Sequence, residues 1–277
     1  VAALVIIAGI GFGIFRGLNL GIDFKGGTTL VVEMGQDFDK EELDVMLETY
    51  DKDIVSQKVD GTQIEIRSQG LGVEKMDGIA EDIKEKYALE GDPVLSLTEI
   101  GAVIGKELTT GGIKAVLLAS VLMLIYITIR FKGNFGFAAI LSLIHDIIFT
   151  LAIYAIFAIT INTPFIAAML TILGYSINDS IVIFDRIREN KNAKPSADEK
   201  VLANLSLNQS IRRSIYTMLT TLIPILSVYI FVPQIRDFAL PISVGIVAGG
   251  MSSIFIASPI WIFLENKLGK NRKKLKA

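Results

Sequence analysis

What most limits the fold of this chain is that its apolar residues come in blocks long enough to cross a bilayer. Five of them cover Ile113–Ile129, Phe135–Ile159, Phe165–Phe184, Arg213–Val232 and Phe238–Leu264. A helical crossing takes about 20 mostly apolar residues, and backbone in lipid must satisfy its own hydrogen bonds, so each block reads as a helix. Val1–Phe15 is apolar as well but short of that length, and it reads as a first span cut short at its N-terminus. A cleaved signal peptide would show a basic n-region and a small-residue cleavage site, and this stretch has neither. Residues 1–15 and the five blocks predict a polytopic α-helical membrane protein of six transmembrane helices. A 51% hydrophobic composition and a mean hydropathy of +0.53 agree with that reading.

Residues 16–112 form a polar insert between the first and second spans. Thr28–Met34 alternates like a strand, and Lys40–Tyr50 is helical in character behind Asp39, a candidate N-cap. Ile54–Val59 and Gln63–Arg67 flank Asp60-Gly61-Thr62, a hairpin signal. Val73–Tyr87 is an amphipathic helix, and Pro93–Leu97 a last short strand. Strand, helix, strand, strand, helix, strand is the order of a small ferredoxin-like α+β domain.

Charge sets the orientation. In the insert acids outnumber bases about two to one, whereas bases dominate from Ile113 onward. Arg130 and Lys132 end the second span. Arg186, Arg188, Lys191, Lys194, Lys200 and Arg212 fill the loop 186–212, and Lys267, Lys270, Arg272, Lys273, Lys274 and Lys276 populate the tail 265–277. The short loops on the other side carry little beyond Arg236. The positive-inside rule then places both termini in the cytoplasm and the insert outside. Residues 113–264 hold the rest of the bundle. Asn134–Gly136, Asn162–Pro164 and Pro233–Asp237 read as tight connections. Ser196-Ala-Asp-Glu199 resembles a capping box, and a short amphipathic helix at the membrane surface is expected in the loop Asn190–Asn208.

Polar residues inside the spans are the candidates for chemistry. Asn178-Asp179 lies some seven residues from the inner end of the fourth span, about 10 Å in at helical rise. A carboxylate at mid-bilayer costs about 2.5–3.5 kcal/mol even on a lenient insertion scale, so Asp179 should face protein or water and have a partner. His145-Asp146 sits about ten residues, or ~15 Å, into the third span. Arg213 follows Arg212 into the fifth span. With a helix start near Ser206, Arg213 reaches the depth of Asp179, and an Asp179–Arg213 pair would neutralise both charges and seat a protonatable switch. The plainer alternatives are a pair that only registers two helices, an Arg213 that snorkels to the interface, and a His145 that is a hydrogen-bonded core residue. Asp185, Arg186 and Arg188 fall at the interface, where they set orientation.

Other motifs narrow the function. Gly21, Asp23, Gly26 and Gly27 sit in Gly21-Ile-Asp-Phe-Lys-Gly-Gly-Thr28, where paired glycines before a strand mark a tight turn or a close backbone approach. A phosphate cradle is the alternative, but no helix follows directly. Gly101-Ala-Val-Ile-Gly-Lys-Glu107 is one residue short of a P-loop and has Glu where Ser or Thr would hold magnesium, so nucleotide binding is rejected. The small residues of Gly245-x-x-x-Gly249-Gly250 and Ala115-x-x-x-Ala119 permit close helix packing. The chain has no cysteine and one histidine, with no metal-ligand spacing. Neither a nucleophile elbow nor a His-Glu-x-x-His occurs. An enzyme is the least supported class, and no metal, cofactor or nucleic-acid partner is expected.

Three stretches resemble a known family. Gly21–Thr28 looks like the signature after the first span of the SecD/SecF proteins of bacterial protein export. Gly174-Tyr-Ser-Ile-Asn-Asp-Ser-Ile-Val-Ile-Phe-Asp-Arg-Ile-Arg-Glu-Asn190 resembles that family's fourth span in its SecF branch, and Ser210-Ile-Arg-Arg-Ser-Ile-Tyr-Thr-Met-Leu-Thr-Thr221 is similar to its fifth. The resemblance covers nearly the whole chain, and the small insert fits the SecF branch better than SecD. It implies an RND-type half that pairs with SecD, separate or fused, beside the SecYEG channel and YajC in the cytoplasmic membrane. There it would use the proton motive force to promote export of unfolded secretory polypeptides. By position, the resemblance makes Asp179 the proton-pathway carboxylate and Arg213 its partner, with Arg212 as a second base beside it and His145-Asp146 matching a family His-Asp. A small-molecule or lipid exporter of the same superfamily, or a structural scaffold without ion coupling, are the alternatives. Proton against sodium as the coupling ion stays open.

Overall fold

The structure is a computed structural model that describes residues 1–59, 61–131, 133–232 and 235–274, with side chains up to 267. Asp60 of the hairpin signal, Lys132, Pro233 and Gln234 of one expected connection, and the tail bases beyond Lys267 lie outside the residues or side chains described. Two compact units are formed. One comprises Leu20–Ile113 and Thr160–Thr163, the other Val1–Asn19, Lys114–Ile159 and Pro164–Ala277.

The small unit carries the order expected of it. The strands are β1 (Gly27–Glu33), β2 (Val55–Val59), β3 (Gln63–Ser68) and β4 (Val94–Ile100). They form one antiparallel sheet in the order β2-β3-β1-β4. Alternation puts Leu30 and Val32 of β1 and Ile64 and Ile66 of β3 on one face, fully buried. Helices α3 (Lys40–Leu47) and α4 (Val73–Lys86) cover that face with Leu43, Leu47, Met76, Ile79 and Ile83. Each such side chain contributes roughly 1.5–3 kcal/mol on burial, which is what holds this layer together. Asp39 caps α3 as expected, accepting from the Glu41 N–H at 2.9 Å.

Between Gly21 and Gly26 the expected tight turn contains one turn of helix, α2 (Ile22–Lys25). Gly26 and Gly27 follow with φ of 79° and 132°, a region open to glycine at little cost. A Cβ on Gly27 would sit 2.4 Å from the Ser68 carbonyl oxygen, and one on Gly21 2.0 Å from Asn162 Oδ1. Asp23 anchors the same turn by accepting from the Thr163 N–H at 2.6 Å. Both glycines and the acid therefore serve backbone packing. The P-loop look-alike is helical: Gly105 lies in the first turn of α5 (Ala102–Arg130), where a Cβ would meet the Phe24 carbonyl oxygen at 2.9 Å.

The helical unit contains α1 (Ala2–Arg16), most of α5, α6 (Gly133–Ile156), α7 (Thr163–Ala193), α8 (Glu199–Phe231), α9 (Arg236–Ser252) and α10 (Ser258–Lys274). Five helical stretches among the described residues are long and apolar enough to cross a membrane, the last being α9 and α10 together, and α1 is a shorter apolar helix. Small residues allow contact. A Cβ on Gly9 of α1 would overlap Ala152 of α6, and one on Gly245 of α9 would come within 2.3 Å of Ile172 of α7. Phe135 stacks on Trp261 at 5.1 Å and meets Phe184 at 5.0 Å, forming an aromatic centre.

Four expectations are corrected. The loop 186–212 shrinks to Lys194–Asp198, because α7 runs on to Ala193 and α8 starts at Glu199 with Asp198 as its N-cap. The expected separate surface helix is instead the first part of α8. Leu202, Ala203, Ser206, Ser210 and Ser214 form one buried stripe at helical spacing, with no glycine or proline to break it. Asn134–Gly136, expected as a connection, is already the first turn of α6. The last span is interrupted, since Ser253–Ala257 form a π-turn between α9 and α10.

Candidate functional site

Asp146 lies near the middle of α6 and is completely buried. Its Oδ2 accepts from Ser176 Oγ of α7 at 2.6 Å and from Ser252 Oγ of α9 at 2.8 Å. Ser142, one turn earlier on α6, donates to Ser252 at 3.0 Å. His145 Nδ1 stands 3.1 Å from Asp146 Oδ1, while its Nε2 is buried without a partner. The carboxylate thus ties α6, α7 and α9 together through hydroxyls.

Asp179 is the second buried acid, 6% exposed on α7. Ser214 of α8 donates to its Oδ1 at 2.7 Å. Its Oδ2 is buried with no hydrogen-bond partner. The adjacent Ser180 shares a hydrogen bond of 3.1 Å with Ser253 at the start of the π-turn. Ser176, Asp179, Ser180 and Ile183 follow at intervals of three and four, so they share the face of α7 that meets α8 and α9.

The expected Asp179–Arg213 pair is not formed. Ser214 occupies that place, and Arg213 is exposed with Arg212, Gln209, Tyr216, Thr217 and Thr220 along an open cleft on α8. Neighbouring residues on a helix point about 100° apart, so only one of Arg213 and Ser214 can face α7. Asn178 is exposed and takes no part in the acid's contacts. Asp185 pairs with Arg188 at 2.9 Å and lies 4.0 Å from Arg130, and Arg186 pairs with Glu189 at 2.5 Å and donates to Gln209 at 2.7 Å. Near the same end of the bundle, Lys191 bridges to Glu265 at 2.6 Å.

The serines were missed from the sequence. A serine in an apolar helix commonly bonds back to the carbonyl one turn earlier, as Ser120, Ser227 and Ser243 do here, so the residue type alone does not single out Ser142, Ser176, Ser180, Ser214, Ser252 and Ser253. Their signal was spacing: Ser142 is i−4 from Asp146, and Ser176 and Ser180 bracket Asp179.

Chemically, two carboxylates sit inside a helix bundle with hydroxyl donors, His145 stands beside Asp146, and among the described residues neither acid forms an ion pair with a Lys or Arg. Such a site can exchange a proton or a small cation without breaking an ion pair. No cluster of three or more His, Cys, Asp or Glu suited to a metal occurs among the described residues. Fold and site define a multi-pass membrane protein with an ionisable core and a small α+β unit. Residues 83–267 match the model of the protein export membrane protein SecD/SecF C-terminal family, and residues 11–37 match the SecD/SecF GG motif. The chain belongs to the SecD/SecF family. It is 40% identical to the protein translocase subunit SecF of Sebaldella termitidis, covering 95% of this chain and 89% of that one. The SecF of Thermodesulfovibrio yellowstonii is 38% identical, with 98% and 91% covered. The crystal structure of SecDF, a translocon-associated membrane protein from Thermus thermophilus, superposes with a TM-score of 0.85 at 35% identity. It covers 96% of this chain, which spans 37% of that longer one.

Proposed function

We propose that this chain is an auxiliary subunit of the bacterial Sec translocase that uses the proton motive force, with a SecD half, to promote export of unfolded polypeptides. Relatives named as translocase subunits SecF and SecDF support the role, and the fused SecDF supports SecD as the partner. In this reading α1 completes a six-helix RND-type half, and the small ferredoxin-like unit lies outside the cytoplasmic membrane, opposite both termini. SecYEG, YajC and the translocating chain are its further neighbours.

One observation carries the ion-coupled part: Asp179 is buried in the bundle, holds one serine hydrogen bond and has an unpaired Oδ2. A proton arriving at Oδ2 removes the charge while leaving the Ser214 bond to Oδ1 in place. A proton leaving restores an anion that needs a donor or a cation. A turn of α8 by about 100° exchanges Ser214 for Arg213, which would give that anion its counter-charge. Asp146, with His145 beside it, is the second ionisable stop on the pathway. Alternation between the two α8 positions is the stroke that the outer unit passes to the exported chain.

The test is secretion of a reporter protein from cells carrying Asp179→Asn at matched membrane levels. Loss of secretion with SecD association intact is expected. Normal secretion would leave a structural scaffold as the function.

A further inference from the structure

Ser252 and Ser253 are consecutive, buried, and placed where α9 gives way to the π-turn. Consecutive helical side chains diverge by about 100°, which lets one short segment reach two neighbours. Ser252 Oγ reaches Asp146 Oδ2 at 2.8 Å, and Ser253 Oγ reaches Ser180 at 3.1 Å. Ser180 is the residue after Asp179, so the Ser253 hydroxyl lies beside the part of α7 that carries the Asp179 carboxylate, whose Oδ2 has no hydrogen-bond partner.

The two hydroxyls compete for one acceptor. The Gly249 carbonyl oxygen lies 3.2 Å from Ser252 Oγ and 2.8 Å from Ser253 Oγ, and it already takes the Ser253 backbone N–H. A carbonyl offers two lone pairs and a serine one proton, so a single place remains for two donors. As found, Ser253 fills it, Ser252 gives its proton to Asp146, and Asp179 Oδ2 goes without.

We infer that Ser252 and Ser253 are positioning residues that couple the two acids through the Gly249 carbonyl. When Asp179 is anionic, the Ser253 hydroxyl turns to its Oδ2 and vacates Gly249. Ser252 then turns to Gly249 and withdraws a donor from Asp146. No bond other than hydrogen bonds changes, and no proton leaves its serine. The π-turn suits this role: such turns gather at functional sites, and the fully buried Ser258 hydroxyl donates to the Ser253 carbonyl at 3.4 Å. Gly249 fits for a second reason, since a Cβ there would lie 2.9 Å from the Ser176 Cβ. The other titratable or charged groups nearby are His145 on α6, Tyr175 one turn before Asp179 on α7, and Arg213 next to Ser214 on α8. Between Asp237 and Glu265 the segment carries no charge of its own.

The inference rests on the two acids being the ionisable pair of the proposed function. It is tested by infrared titration of the full chain in lipid nanodiscs, with the Asp146 carboxyl band assigned by Asp146→Asn. Asp179→Asn should move the midpoint of that band by about tenfold in proton concentration, a usual size for coupling between sites. In a Ser253→Ala background the same substitution should move it by less than about twofold, and Ser253→Thr, which keeps the hydroxyl, should restore the tenfold effect. An undiminished shift in Ser253→Ala would mean coupling by charge through space and would overturn the relay, leaving the secretion phenotype of Asp179→Asn untouched. An Asp146 band that does not titrate would overturn the relay and remove Asp146 from the pathway.

Discussion

Asp51 of the small unit accepts from the Asp53 N–H at 3.0 Å and from the Ser68 hydroxyl at 2.9 Å, whereas Asp179 accepts from one serine and leaves Oδ2 unpaired. The same contrast extends beyond these two. The Asp53 N–H and the Ser68 hydroxyl hold Asp51 below the usual aspartate value, and the Lys58 ammonium does the same for Asp37. Glu33 is lowered by the Gln63 and Thr62 side chains. These acids are fixed as anions and serve the fold. The two buried acids of the helical unit, Asp146 and Asp179, are met by hydroxyls and a histidine, groups that tolerate either charge state. Donor supply is what separates the two groups of acids.

The comparison can be broken from either side. The largest effect is expected at the core of the small unit, where Ile66→Ala should cost about 2–5 kcal/mol, read as lost hydrogen-exchange protection in β1 and β3. In the helical unit, Gly245→Leu forces a side chain into Ile172 and should cost about 1–3 kcal/mol, with protection lost in α7 and α9. Asp179→Asn should change stability by less than about 1 kcal/mol in a thermal melt, because the Asn carbonyl keeps the Ser214 bond. A large loss there would make Asp179 a structural acid like Asp51.

The pH dependence sharpens the same contrast. Asp51 and Asp37 have lowered folded values, so their contribution is complete above the unfolded aspartate value of 3.8 and fades as pH falls through the folded values. At the other end, the hydrogen bond to Glu42 raises Lys86. Its contribution is complete below the unfolded value of 10.5 and is lost as pH rises through the folded one. Exchange protection of the small unit should thus be flat near neutrality and fall below about pH 4, and Asp51→Asn should blunt that acid loss. A fall between about pH 5 and 8 would show that other groups set its stability.

Much of this was legible in the sequence because it rests on period and punctuation. Alternating Leu30, Val32, Ile64 and Ile66 gave the strands, Asp39 the cap of α3, and the length of the apolar blocks the long helices. That Asp146 and Asp179 fall inside long apolar helices followed from the length of those blocks. What escaped depends on rotation about a helix axis. Whether Arg213 or Ser214 faces α7 is a difference of about 100°, which no spacing rule fixes when the start of α8 is itself misplaced. The continuation of α8 back to Glu199 was hidden because its early stripe is built of Ala and Ser as well as Leu. The π-turn at Ser253–Ala257 lies just before Ser258-Pro259, and that proline was punctuation which a count of apolar residues passed over.

The most direct measurement is proton uptake into liposomes that hold the full chain with its SecD half, followed with an entrapped pH dye under an imposed proton gradient. Uptake by the parent and by Asp51→Asn, with none by Asp179→Asn, is the predicted result. Equal uptake by Asp179→Asn and the parent would contradict it and place the ion path elsewhere.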